Sequence, residues 1–153
     1  LFSELMRTED AYEASAIEAQ IWDLWVANDN PAFFELMVTG IRHMNMNALN
    51  LALDDFNRLI EMAPNYAEAW NKRATIYYLL QDYKASADDI DKVLELEPFH
   101  FGALSGLGLV RMGEGRYLEA RTAFQTVLEI YPTMPSIRNN LEQLDNFLQN
   151  NSI

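Results

Sequence analysis

"AEAWNKRATIYYLLQDYKASADDIDKVLELEP", residues 67–98, reads as two helices around a short turn, and its final proline decides the fold. Pro98 is one of three prolines, with Pro64 and Pro132, that recur at intervals of 34 residues. Self-similarity at a fixed period is the signature of a repeat architecture. With proline as position 32, the units run 33–66, 67–100 and 101–134.

Other columns agree with that phase. Position 8 holds Gly40, Ala74 and Gly108, and position 20 holds Ala52, Ser86 and Ala120. Small residues there let two antiparallel helices approach closely. Position 24 holds Phe56, Ile90 and Phe124, and position 28 holds Ile60, Leu94 and Leu128. These lie four apart on one face of the second helix. Position 15 holds Asn47, Gln81 and Gly115. Asn and Gly suit the left-handed turn that ends a helix, and Gln81 departs from that preference. Proline at position 32 cannot continue its helix and closes each unit.

On these residues the chain resembles the tetratricopeptide repeat family. Trp70, Ala74, Tyr77, Tyr83 and Pro98 match its pattern in the quoted unit. Leu107, Gly108, Ala120, Phe124 and Pro132 match in "FGALSGLGLVRMGEGRYLEARTAFQTVLEIYP", residues 101–132. The unit 33–66 is weaker, because Thr39 and His43 replace the usual Leu and aromatic residue. The resemblance implies an all-α fold, a right-handed α-solenoid of antiparallel helix pairs.

The whole chain, 1–153, is expected to be one such domain. Residues 1–30 read as a degenerate first repeat or as two helices in its place. Extending the phase backwards puts Phe2, Leu5, Trp22 and Trp25 on repeat positions, while Met6 and Glu18 fall where small residues belong. Asn30-Pro31 starts the next helix with a cap and a proline at its first position. In residues 135–150, Ile137, Leu141, Leu144 and Leu148 form an apolar stripe opposite a polar face. Such a helix serves as the cap of a helical stack.

Eleven Lys and Arg face 23 Asp and Glu, a formal net charge of −12. That balance disfavours nucleic acid and anionic lipid surfaces as partners and favours a soluble chain. Cysteine is absent, which excludes disulfides, thiolate metal sites and cysteine nucleophiles. The longest uncharged stretch, Pro98 to Val110, has 13 residues and three glycines, too short for a membrane span. Leu1 is not a methionine, and the compartment stays open.

In the family, positions 2, 5, 9, 12 and 13 of each first helix line a concave groove. Carried over, the first unit contributes Phe34, Met37, Ile41, Met44 and Asn45. The second contributes Glu68, Asn71, Thr75, Tyr78 and Leu79; the third, Gly102, Ser105, Leu109, Met112 and Gly113. The methionines make an adaptable apolar surface suited to a peptide or a partner helix. Chaperone-binding members hold a terminal carboxylate with Lys, Asn and Arg. The matching positions here are Met37, Ile41, Lys72, Gly102 and Gly106, so that clamp is absent.

"GIRHMNMN", residues 40–47, has the look of a soft-metal site, since imidazole and thioether both bind Cu(I). The repeat phase separates its members. His43 takes the packed aromatic position, Met46 an apolar one, and Asn47 the turn, leaving Met44 in the groove. No metal or cofactor is expected.

The acidic residues Asp54, Asp55, Asp88, Asp89 and Asp91 read as a solvated outer face of the second helices. No nucleophile elbow, HExxH or phosphate loop is present, so catalysis is not expected. The favoured function is a non-catalytic interaction module that binds a peptide or helix. The alternative is a structural role through self-association.

Overall fold

A computed structural model describes residues 1–152. Among them are nine helices and no strand: α1 (Phe2–Leu5), α2 (Ala11–Val26), α3 (Pro31–Asn45), α4 (Leu49–Met62), α5 (Ala67–Leu79), α6 (Tyr83–Leu96), α7 (Phe101–Gly113), α8 (Tyr117–Ile130) and α9 (Pro135–Asn151). They fall into two compact units. One runs from Trp22 to Pro98; the other joins Leu1–Ile21 to the chain from Phe99 onward.

In the Trp22–Pro98 unit, α3 packs on α4, α4 on α5, and α5 on α6. Its core gathers Met37, Ala52, Phe56, Leu59, Ile60, Tyr66, Ala69 and Ile76. Gly40 shows why position 8 is small. A Cβ added there would stand 2.6 Å from Cζ of Phe56, so the ring occupies the room a side chain would need. Where Ile90 replaces that phenylalanine at position 24, position 8 is Ala74. Both are buried. Ser86 is the polar member of column 20, and its hydroxyl donates to the Ala74 carbonyl at 2.7 Å, satisfying a buried group across the helix pair.

Each turn between paired helices uses the same device. Asn47 (φ 57°), Gln81 (φ 60°) and Gly115 (φ 75°) are left-handed. The next amide in each case reaches back to the last turn: Ala48 to His43, Asp82 to Tyr77, Arg116 to Arg111, at 2.8–2.9 Å. This is the Schellman arrangement, which satisfies carbonyls that a helix end leaves open. Gln81 therefore adopts a conformation that a Cβ disfavours.

In the other unit, α7 packs on α8 and α8 on α9. Phe124 again fills the space over a glycine, 2.3 Å from a Cβ placed on Gly108. His100 is fully buried and caps α7, its Nδ1 accepting from the Ala103 amide at 3.0 Å. In α9, Ile137 and Leu144 are buried while Leu141 and Leu148 are half-covered.

Residues 1–21 pack within this second unit, as two helices. Phe2 meets Phe99 with ring centroids 5.8 Å apart. Tyr131, edge-on to Phe101, donates its hydroxyl to Glu18 at 2.9 Å. Burial and that carboxylate push the Tyr131 phenol up to about 12. A turn in the repeat phase would fall at Glu13, yet Glu13 lies inside α2. The break comes earlier, between Leu5 and Ala11, where the Asp10 carboxylate caps α2 by accepting from the amides of Tyr12 at 2.8 Å and Glu13 at 3.0 Å. Beyond it Ala14, Ile17, Ile21 and Trp25 form the buried stripe of the helix.

Candidate functional site

Helices α3 and α5 lie side by side in the Trp22–Pro98 unit, and each presents the positions singled out in the sequence. Their two halves differ sharply. Toward the N-terminal ends, Met37 is fully buried and belongs to the core, so it offers no surface. Glu68 is 1% exposed and Asn71 is buried. The Glu68 carboxylate accepts from Asn71 Nδ2 at 3.0 Å and pairs with Lys72 at 3.4 Å. Lys72 also stands 5.4 Å from the ring centroid of Trp22, a cation over an aromatic face. Lys72 is thus engaged on both sides.

Toward the C-terminal ends the surface opens. Ile41 and Met44 are half-buried and Asn45 is exposed on α3. On α5, Thr75 is exposed, Tyr78 is half-buried against the Tyr83 ring, and Leu79 is 53% exposed. Thr75 returns its hydroxyl to the Asn71 carbonyl at 3.1 Å. Phe34, on the first turn of α3, is exposed as well. In the other unit Gly102, Ser105 and Leu109 are half-buried, and Met112 and Gly113 are exposed. The Ser105 hydroxyl donates to the Phe101 carbonyl at 2.7 Å.

The acidic second helices are not uniformly a solvated face. Asp54, Asp88 and Asp91 are exposed, but Asp55 and Asp89 are buried and paired. Both stand at position 23, and each holds a basic group from the partner helix. Arg73 grips Asp89 with two hydrogen bonds of 2.7 Å, from Nε and from an Nη. It donates also to Asn57 at 3.0 Å and covers the rings of Trp70 and Tyr77. Burial pushes the Asp89 carboxyl above its ordinary value, and the Arg73 guanidinium opposes that rise. In the unit 33–66, His43 Nδ1 lies 2.5 Å from Asp55 Oδ2 instead. The sequence reading missed this exchange. Its signal was present: the third unit places Leu107 and Ala123 where the second has Arg73 and Asp89.

His43 is therefore committed to Asp55. Met46, expected to fill an apolar position, is 69% exposed at the helix end. Asn47 holds the left-handed turn.

Trp70 at position 4 donates its indole N–H to the Pro64 carbonyl at 2.9 Å, and Arg138, at position 4 of the following stretch, does the same to Pro132. The proline that closes one unit is tied to the helix that opens the next. No helix among the described residues is long and apolar enough to cross a membrane.

Comparison with known proteins fits this architecture. The family described as "Tetratricopeptide repeat" matches residues 39–99 and 80–135. A TPR repeat-containing protein of Rhizobium etli is 33% identical over 151 residues, covering 99% of this chain and 74% of that protein. The small glutamine-rich tetratricopeptide repeat-containing protein 2 of Mycosarcoma maydis is 25% identical, covering 77% of this chain but 35% of its own length. Among solved structures, the first TPR of Spaghetti (RPAP3) bound to the HSP90 peptide SRMEEVD has a TM-score of 0.74 at 20% identity. It covers 76% of this chain and 93% of that one. That likeness concerns the fold alone, an all-α solenoid of antiparallel helix pairs. Period, turn geometry and relatives agree, and the chain belongs to the tetratricopeptide repeat family.

Proposed function

We propose that the chain is a non-catalytic protein-interaction module, a single repeat domain over 1–153, that seats an apolar peptide or a partner helix on the first helices of its repeats. The observation that carries this reading is the open surface on the C-terminal halves of α3 and α5. Ile41, Met44, Tyr78 and Leu79 lie there on adjoining helices with apolar surface left uncovered. An amphipathic helix or extended apolar segment buries such a surface without chemistry. Met112 in the other unit is exposed as well, and its flexible side chain suits the same kind of contact.

Relatives support a binding role. The RPAP3 domain is described as bound to an HSP90 peptide. An acidic tail of that kind is not the partner proposed here. The clamp positions hold Met37, Ile41, Gly102 and Gly106, and Lys72 is already engaged by Glu68 and Trp22. The test is the double variant Ile41→Glu/Leu79→Glu. It should keep full helicity and lose capture of a partner isolated with the wild type. Capture of the same partner at unchanged affinity refutes the reading.

A second reading, self-association, has its own observation. Phe34, Glu35, Val38, Thr39 and Arg42 line an open cleft of about 320 Å³ on α3 alone. Glu35 and Arg42 lie seven residues apart on that helix. Two copies packed antiparallel about a two-fold axis would set each Glu35 against the other copy's Arg42. Light scattering over a dilution series tests it: a monomer at every concentration excludes this interface.

A further inference from the structure

Three helices of the Trp22–Pro98 unit end at one cavity of about 400 Å³. Ala27, Ala63 and Glu97 line it, and each is the residue immediately after the last of a helix: Val26 of α2, Met62 of α4 and Leu96 of α6. The C-terminal end of a helix carries roughly half a negative charge. None of these three helices has a basic residue in its last turn to offset it. The Glu97 carboxylate adds a full negative charge, and no Lys or Arg lines the cavity.

The walls suit the same sign. Trp25, Phe33 and Tyr66 contribute three aromatic side chains, whose faces attract cations. The Tyr66 hydroxyl donates to the Val26 carbonyl, which fixes its ring beside the end of α2. Asn28 and Asn65 complete the polar part of the rim with side-chain carbonyls able to accept.

We propose that this cavity binds an organic cation, a guanidinium or ammonium group, with Glu97 as its counter-charge and Trp25, Phe33 and Tyr66 as its walls. The net charge of −12 draws such groups toward the chain. A basic side chain of a partner protein and a free amine offer the same chemistry. The site shares no residue with the open surface of α3 and α5, so the two proposals fail independently.

The test is an amide NMR titration of the full chain with three probes: acetyl-Gly-Arg-Gly-amide, its citrulline counterpart, and agmatine. The arginine peptide or agmatine should move the amides of Ala27, Asn65 and Ala67 saturably, and the neutral citrulline peptide should not. Whichever cation binds more tightly identifies the source. Glu97→Gln should weaken binding roughly tenfold, the value of one charge-assisted contact. Ala27→Lys, at an exposed position that tolerates a long side chain, should fill the site with its own ammonium and abolish binding. Absence of saturable shifts from both cations overturns the proposal. So do equal shifts from the citrulline peptide, or unchanged affinity in both folded variants.

Discussion

A Cβ placed on Gly108 would stand 2.3 Å from Cε1 of Phe124, closer than two non-bonded carbon atoms approach. The glycine and the ring are one packing unit shared by two helices, and Gly40 with Phe56 repeats it. Gly108→Ala should therefore destabilise the fold by about 1–3 kcal/mol, although alanine is the better helix former. Combining it with Phe124→Leu should recover part of that loss, a coupling of at least about 0.5 kcal/mol in a double-mutant cycle. Urea denaturation of the four proteins measures it; strict additivity would show that the two residues do not share the space.

Arg73 and Asp89 form a bidentate pair whose carboxylate is buried and whose guanidinium is partly so, and removing the cation leaves that carboxylate uncompensated. Arg73→Met should cost about 3–5 kcal/mol at neutral pH. Burial raises the folded-state value of Asp89 above 3.8, so folding favours its protonated form. Its contribution is greatest below the unfolded value and falls as pH rises through the folded one. Without Arg73 that rise is larger. The deficit of the variant against the wild type should shrink on acidification from pH 7 toward about pH 4. Melting temperatures across that range test it; a constant deficit argues against a buried charge as the cause.

Gln81 carries a left-handed φ of 60° where the other two turns use Asn and Gly. Gln81→Gly should stabilise the chain by about 1 kcal/mol, because glycine meets no Cβ penalty there. A higher urea midpoint at unchanged slope is the expected result.

Met37 occupies a groove position in the repeat pattern but is a core residue here. Met37→Ala should cost about 2–5 kcal/mol of stability. A loss of partner capture in this variant should track its unfolded fraction and be restored at lower temperature. Ile41→Glu/Leu79→Glu should behave oppositely, with full helicity and no temperature rescue.

Much of this was legible in the sequence because it follows from spacing. The 34-residue period placed the helices of residues 33–134, the small columns under Phe56 and Phe124, and the turns, left-handed by residue type at Asn47 and Gly115 but not at Gln81. A four-three-four apolar spacing placed the amphipathic α9. Those features depend on neighbours at fixed offsets along the chain or across a helix pair whose register the repeat dictates. The opening residues were less legible. A strict phase puts the turn at Glu13, but the chain breaks between Leu5 and Ala11 instead, and Asp10 caps a helix that already contains Glu13.

Burial and pairing belonged to the tertiary structure. Sequence alone gave Met37, Glu68 and Asn71 the same status as Thr75 and Leu79; packing closed the first three and left the last two open. Asp55 and Asp89 looked like their exposed neighbours Asp54 and Asp88 until the fold brought His43 and Arg73 against them. The cavity at Glu97 joins the ends of three helices separated by tens of residues along the chain. A helix end announces its own charge in the sequence, but only the folded chain brings three such ends together.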